Sequence, residues 1–239
     1  MAQWLQRSEA LVGKENIEKL KNAHIVVAGL GGIGSYAAEY IARAGVGQMT
    51  IIDGDIVEAS NRNRQLPALI STEGQSKAQL MAARLKDINA DLQLNVFETY
   101  LEELKIQEIL AKATYHYAID AIDTITPKVS MIKNCLHRQI PIVSAMGAGG
   151  KLDPEKVRIA DIYETYNCTL AQQVRKTLRK WKVKGNFKVV FSTELPDKSK
   201  VQYVEGARHK KSYLGTISYM PSLFGCFCAS VVIRELLNN

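Results

Sequence analysis

The chemically most informative residues lie between positions 29 and 123. Gly29-Leu30-Gly31-Gly32-Ile33-Gly34-Ser35 follows an apolar run and opens a helical pattern. Glycines at such a junction let the backbone turn tightly and approach a phosphate, which the free N–H groups and dipole of the helix N-terminus stabilise. Asp53, about twenty residues further on, sits where a ribose-binding acid belongs. Up to this point the G-x-G-x-x-G spacing fits a nicotinamide-dependent oxidoreductase as well as any other nucleotide site. The next segment discriminates. Asp53-Gly54-Asp55 leads to Asn61, Arg64 and then Lys77. Hydride transfer has no need of a guanidinium and an ammonium group beside the nucleotide. A triphosphate does, with an amide such as Asn61 to orient its oxygens. Asp123 adds a carboxylate at a second strand end, a position that suits Mg²⁺ shared with phosphate oxygens.

Such residues need a scaffold that brings several strand ends together. The stretch AHIVVAGLGGIGSYAAEYIARAGV reads as strand, Gly-rich turn and helix, and QMTIIDGD as a second short strand ending in acids. Helical patterns over 76–88, 102–113 and 127–138 alternate with strands at 92–97, 116–123 and 140–145. Strands alternating with helices of this length make βαβ units and a parallel sheet. The expected fold is α/β, a doubly wound, Rossmann-like, mostly parallel sheet with helices on both faces, plus a smaller mixed C-terminal extension. A polar helix is expected over 8–22. The second half is less regular: a strand pair over 151–162, a helix at 170–181, a strand at 188–191, a polar Lys-rich loop at 196–212 and a closing helix at 222–237. We expect a single domain over 1–239, with a helical arm (1–22), a nucleotide-binding core (23–150) and a basic extension (151–239).

A chain of 239 residues, 46% hydrophobic and 23% charged, is neither low-complexity nor disordered. The formal net charge is +7, and it is unevenly spread. Residues 128–212 hold 18 Lys/Arg against 7 Asp/Glu, and 174–188 contain seven bases and no acid, with Trp181 and Phe187 among them. A run of this kind is ordinarily a solvated helix face, but bases interleaved with aromatics are also the footprint of nucleic-acid binding. Arg175, Lys176, Arg179, Lys180 and Lys182 are the candidate contacts, together with the loop at 198–211. The four cysteines, Cys135, Cys168, Cys226 and Cys228, include no C-x-x-C pair. That predicts buried reduced thiols rather than structural zinc. The charged N-terminus lacks a signal-type apolar stretch, and the apolar run at 217–233 is interrupted by Pro221 and serines. The chain reads as soluble and cytoplasmic.

Taken in order, G-x-G-G-x-G-S, D-x-D-x-V-x-x-S-N-x-N-R-Q, G-Q-x-K and D-A-x-D-T resemble the signature of the ThiF/MoeB/E1-like adenylating superfamily, over nearly the whole chain. Within it the chain looks most similar to the tRNA threonylcarbamoyladenosine dehydratase branch. The features that carry this are Arg7-Ser8-Glu9-x-x-x-Gly13, Ser144 to Gly150 followed by Asp153-Pro154, Val190 to Glu194, and Tyr219-Met220-Pro221-Ser222-x-x-Gly225. The zinc-binding cysteine pairs of many superfamily members are missing, as they are in this branch. The resemblance implies an ATP site built from Gly29, Gly31, Gly32, Gly34, Asp53, Asp55, Asn61, Arg64 and Lys77, with Asp123 holding Mg²⁺. It implies a homodimer, because Arg7 matches the arginine that family dimers insert into the partner's ATP site. It implies adenylation of the threonyl carboxylate of t6A37 in a tRNA substrate and closure to cyclic t6A, and an association with a cysteine desulfurase system. The alternative within the same chemistry is adenylation of the C-terminal carboxylate of a ubiquitin-like sulfur carrier. One departure stands out: Cys168-Thr169-Leu170-Ala171 replaces the branch's usual Asp-Pro-Leu-Ala.

Overall fold

The computed structural model describes residues 3–195, 201–203 and 212–238. The N-terminal arm is two helices rather than one, α1 (Gln6–Val12) and α2 (Lys14–Asn22). They break at Gly13, whose φ of 87° lies in the left-handed region that favours glycine. Then follow β1 (His24–Ala28), α3 (Gly34–Arg43), β2 (Gln48–Ile52), α4 (Lys77–Ile88), β3 (Gln93–Phe97), α5 (Glu103–Ala111), β4 (Tyr117–Asp120), α6 (Ile125–His137) and β5 (Ile142–Ala145). This is the alternation read from the sequence. Helix α6 begins before Pro127 because a proline in the first turn removes only an N–H that has no helical partner there.

The strands form one seven-stranded sheet in the order β3-β2-β1-β4-β5-β7-β6, where β6 is Val157–Asp161 and β7 is Lys188–Ser192. All neighbouring pairs are parallel except β6 with β7. The strand pair expected over 151–162 is thus a single strand, preceded by one 3₁₀ turn (Pro154–Lys156), and its partner comes from 188–192. Helices α7 (Thr169–Lys180) and α8 (Tyr219–Asn238) complete the fold. A small antiparallel pair, β8 (Val201–Tyr203) with β9 (Ser212–Leu214), overlaps the segment read as a Lys-rich loop. The rest of that segment, residues 196–200 and 204–211, lies outside the described residues.

Alternation along β1 divides the interior in two. Ile25 and Val27 face a core shared with α2, α3, α4 and α8, whereas Val26 and Ala28 face one shared with α5, α6 and α7. Full burial of side chains such as Ile25, Phe191 and Phe224 contributes roughly 1.5–3 kcal/mol each. Among the described residues α8 alone is long and apolar enough to cross a membrane. Its Met220, Phe224, Cys228 and Val232 are instead buried in the first core, beside α3.

Helix α7 shows what the departure at Cys168 does. Cys168 is its N-cap and makes no side-chain capping bond. It is buried beside Lys151, whose ammonium burial pushes below the usual lysine range. A carboxylate at position 168 would both accept from a free helical N–H and face that cation. Cys168→Asp is therefore expected to stabilise the chain by roughly 0.5–2 kcal/mol, read as a rise in the denaturant midpoint at unchanged m.

Candidate active site

The direction of strand order reverses between β1 and β4, and the C-terminal ends of the strands at such a reversal are the usual ligand position in a doubly wound sheet. The glycine turn leaves β1 there. Gly29 has a φ of 89°, and a Cβ on it would lie 2.9 Å from the Ala121 carbonyl oxygen at the end of β4. Gly31 borders open space, with only the Gln65 side chain within 4 Å of where its Cβ would stand. The start of α3 follows at Gly34. Gly29 N and Leu30 N are committed to Ile52 O and Asp53, and a helix start of this kind is where free N–H groups ordinarily receive a phosphate.

Asp53 follows β2 and staples the turn in place. Its Oδ2 accepts from Leu30 N at 2.6 Å and its Oδ1 from Asp55 N at 2.8 Å. Burial pushes its carboxyl above the usual range, against the pull of those two N–H groups and of the Lys77 charge. Lys77, at the first position of α4, is buried, and its Nζ lies 3.0 Å from Asp55 Oδ2. Asn61 is buried in a single 3₁₀ turn and accepts from Glu58 N at 3.2 Å through Oδ1. Arg64 extends from the same segment and donates to Ser60 O at 3.0 Å and Asn63 Oδ1 at 2.8 Å. Asp123 is exposed, just past the end of β4. The structure thus gathers at one end of the sheet the glycines and the acids, amide and cations that the sequence marked out.

Arg7 is not among them. Leu5, two residues before it, packs against Gly45 at the far end of α3, and Arg7 is exposed. Helix α7 also leads away from the site. Its Leu170 lies against Gly147, beyond the end of β5, whereas Trp181 lies under Lys133 and Gly185 against Leu136, near the end of α6. Arg179, Lys180 and Lys182 therefore sit about one twelve-residue helix, ~18 Å, from the nucleotide end. Lys176, Arg179, Lys180 and Lys182 are exposed, but Arg175 turns inward and donates to Ile162 O at 3.3 Å and to Thr165 Oγ1.

Two residues passed over in the sequence belong to this region. Gln65 Oε1 is the one buried side-chain polar atom without a partner among the described residues, and its side chain overlies Gly31. The Q of the N-R-Q motif was the available signal. Lys128 is fully buried; nothing in its sequence neighbourhood sets it apart from a surface lysine.

A Rossmann-type sheet with a glycine turn, a carboxylate that holds the turn and a buried lysine at the same end defines a nucleotide-binding domain. The chain belongs to the ThiF family, which it matches over residues 5–239. It is 39% identical to tRNA threonylcarbamoyladenosine dehydratase of Bacillus subtilis, across 100% of this chain and 96% of that protein. It is 37% identical to the Escherichia coli protein of the same name, across 80% of this chain and 75% of that one. The crystal structure of the E. coli dehydratase TcdA in complex with ATP superposes with a TM-score of 0.88 at 32% identity, covering 99% of this chain and 94% of the other. The AMP complex of TcdA gives the same TM-score and identity, over 100% and 96%.

Replacing Lys77 by methionine keeps the buried stem and removes the charge. Loss of one charge-assisted hydrogen bond, worth roughly 1.5–3 kcal/mol, is expected to weaken ATP binding about 10- to 100-fold in calorimetric titration. Asp55→Asn should cost less, because Asp55 is exposed and holds the lysine through a single bond.

Proposed function

We propose that this chain is an ATP-dependent tRNA threonylcarbamoyladenosine dehydratase. It adenylates the threonyl carboxylate of t6A37 and closes it to cyclic t6A, releasing AMP and pyrophosphate. The observation that carries this reading is similarity to the dehydratases along the entire chain, basic extension included, with a TcdA–ATP complex among the similar structures.

The chemistry follows from position. Lys77 and Arg64 neutralise triphosphate oxygens, Asn61 orients them, and N–H groups of the glycine turn receive charge that develops on phosphate. The substrate carboxylate attacks the α-phosphate in line and pyrophosphate leaves. A ureido nitrogen of the same substituent then attacks the activated carbonyl, loses its proton and expels AMP, which carries away the carboxylate oxygen. The net change in t6A is loss of one water. Because both reacting ends belong to one substituent, the second step is intramolecular, and positioning supplies much of its rate.

Among the described residues no three His, Cys, Asp or Glu side chains converge as a cage. Mg²⁺ needs none, since one or two carboxylates with phosphate oxygens and water complete its shell. Asp123 fits that part, and the ion when bound draws charge from the α-phosphate. Arg7, remote from its own chain's nucleotide end, supports a homodimer in which it serves the partner's site. The exposed cations of α7 support contact with the tRNA away from the reacting nucleotide.

Two measurements test this. Nucleoside mass spectrometry under mild hydrolysis is expected to show t6A losing one water in the presence of protein, ATP and Mg²⁺, and Asp123→Ala to abolish the change. Unaltered t6A, with pyrophosphate exchange appearing only on addition of a sulfur-carrier protein, would transfer the assignment to carrier activation. Charge reversal at Lys176, Arg179, Lys180 and Lys182 should weaken tRNA binding and flatten its salt dependence by about one unit of slope for each phosphate no longer neutralised. ATP affinity should be unchanged; unaltered tRNA binding would make the ridge ordinary solvated surface.

A further inference from the structure

Asp120, Lys128 and Ser144 have no place in those steps, yet all three are completely enclosed. Asp120 is the last residue of β4, Lys128 lies in the first turns of α6, and Ser144 is in β5. Lys128 Nζ donates to Asp120 Oδ2 at 2.6 Å, to Ala145 O at 2.9 Å and to Ser144 Oγ at 3.2 Å, so its three N–H groups are all used. Ser144 Oγ donates in turn to Asp120 Oδ2 at 2.5 Å. Around them stand Cys135 and Cys228, whose thiols burial pushes up.

An ion pair in such surroundings is a poor source of stability, because desolvation offsets its attraction. What it does supply is a single geometry, since every donor and acceptor is committed. That geometry falls on one short loop. Asp120 is its upstream anchor and Lys128 its downstream one. Between them Asp120 Oδ1 accepts from Ile122 N at 3.1 Å, while Lys128 N donates to Thr124 O at 3.2 Å. The loop held in this way, residues 121–124, carries Asp123 and the Ala121 carbonyl that abuts Gly29.

We infer that Asp120, Lys128 and Ser144 are positioning residues for the nucleotide site, a buried clamp that sets where Asp123 and the floor of the glycine turn stand. The inference rests on the reading of Asp123 given above. Lys128 acts through the backbone it fixes and touches no reactant.

The test uses the full chain, with Lys128→Met, the charge-free pair Asp120→Asn/Lys128→Met, and Ser144→Ala. Three quantities are read: melting temperature, amide hydrogen exchange of peptides spanning 121–126, and ATP affinity by calorimetry with Mg²⁺ and with EDTA. Lys128→Met is expected to speed exchange in 121–126 and to weaken Mg²⁺-dependent ATP binding by about 10- to 100-fold, the usual scale for a residue that orients a metal ligand. ATP affinity in EDTA should change less. The double variant, which leaves no buried charge unpaired, should recover melting temperature without recovering loop protection or Mg²⁺-dependent affinity. Ser144→Ala should fall between. If stability, loop protection and Mg²⁺-dependent affinity return together in the double variant, or if exchange in 121–126 is unaltered by Lys128→Met, the triad is a structural ion pair and the inference fails. If the native protein binds ATP equally with and without Mg²⁺, the role of Asp123 falls instead, while the effect on loop exchange still judges the clamp. Should Lys128→Met not fold, the double variant decides the question through the same three quantities.

Discussion

The C-terminal ends of β1 and β4 approach so closely that residue 29 has no room for a side chain against the Ala121 carbonyl. Much follows from that contact. It requires glycine at the start of the turn, and it presses that turn against the loop that bears Asp123. β1 and β4 are also the strands at which sheet order reverses, so this close approach lies where a doubly wound sheet ordinarily takes its ligand.

Charge is placed with the same economy, and the cations of this chain do different work according to depth. Lys77 and Lys128 are enclosed, one beside an exposed carboxylate at the nucleotide end and one paired within the core. Lys151 is enclosed as well, and Arg175 is spent on backbone and Thr165. The positive excess counted over residues 128–212 thus overstates the surface field, since some of its members never meet solvent. Among the described residues, Lys176, Arg179 and Lys180 of α7 and Lys182 and Lys184 just beyond it do stay exposed.

Much of this architecture was legible beforehand. Apolar runs of strand length alternating with helical patterns gave β1 to β5 and their helices, because local periodicity and burial agree there. The extension was harder. The pairing of β6 with β7 joins segments about 30 residues apart, and no local pattern announces which strand a short apolar run will meet. Gly13 breaks the arm through its backbone conformation, which composition does not reveal. At the site, Asp53, Asn61, Arg64 and Lys77 were visible because motif spacing is itself a record of geometry. Lys128 was not, since a lysine reads as surface until the fold supplies Asp120 and Ser144 around it. Arg175 was hidden the opposite way: a helical basic run gives every member the same appearance, and only its bonds to Ile162 and Thr165 set the inward one apart.

Asp53 holds a last consequence. Both of its oxygens already accept from backbone N–H groups, so the carboxylate, the turn from β1 and the segment after β2 are tied together before any ligand arrives. Each oxygen retains a second lone pair, so any further donor would meet an acceptor whose direction is set. The loss of conformational entropy needed to organise this side of the pocket is incurred when the chain folds, not when nucleotide binds. Occupancy can then change many times in a catalytic cycle while the receiving surface stays still.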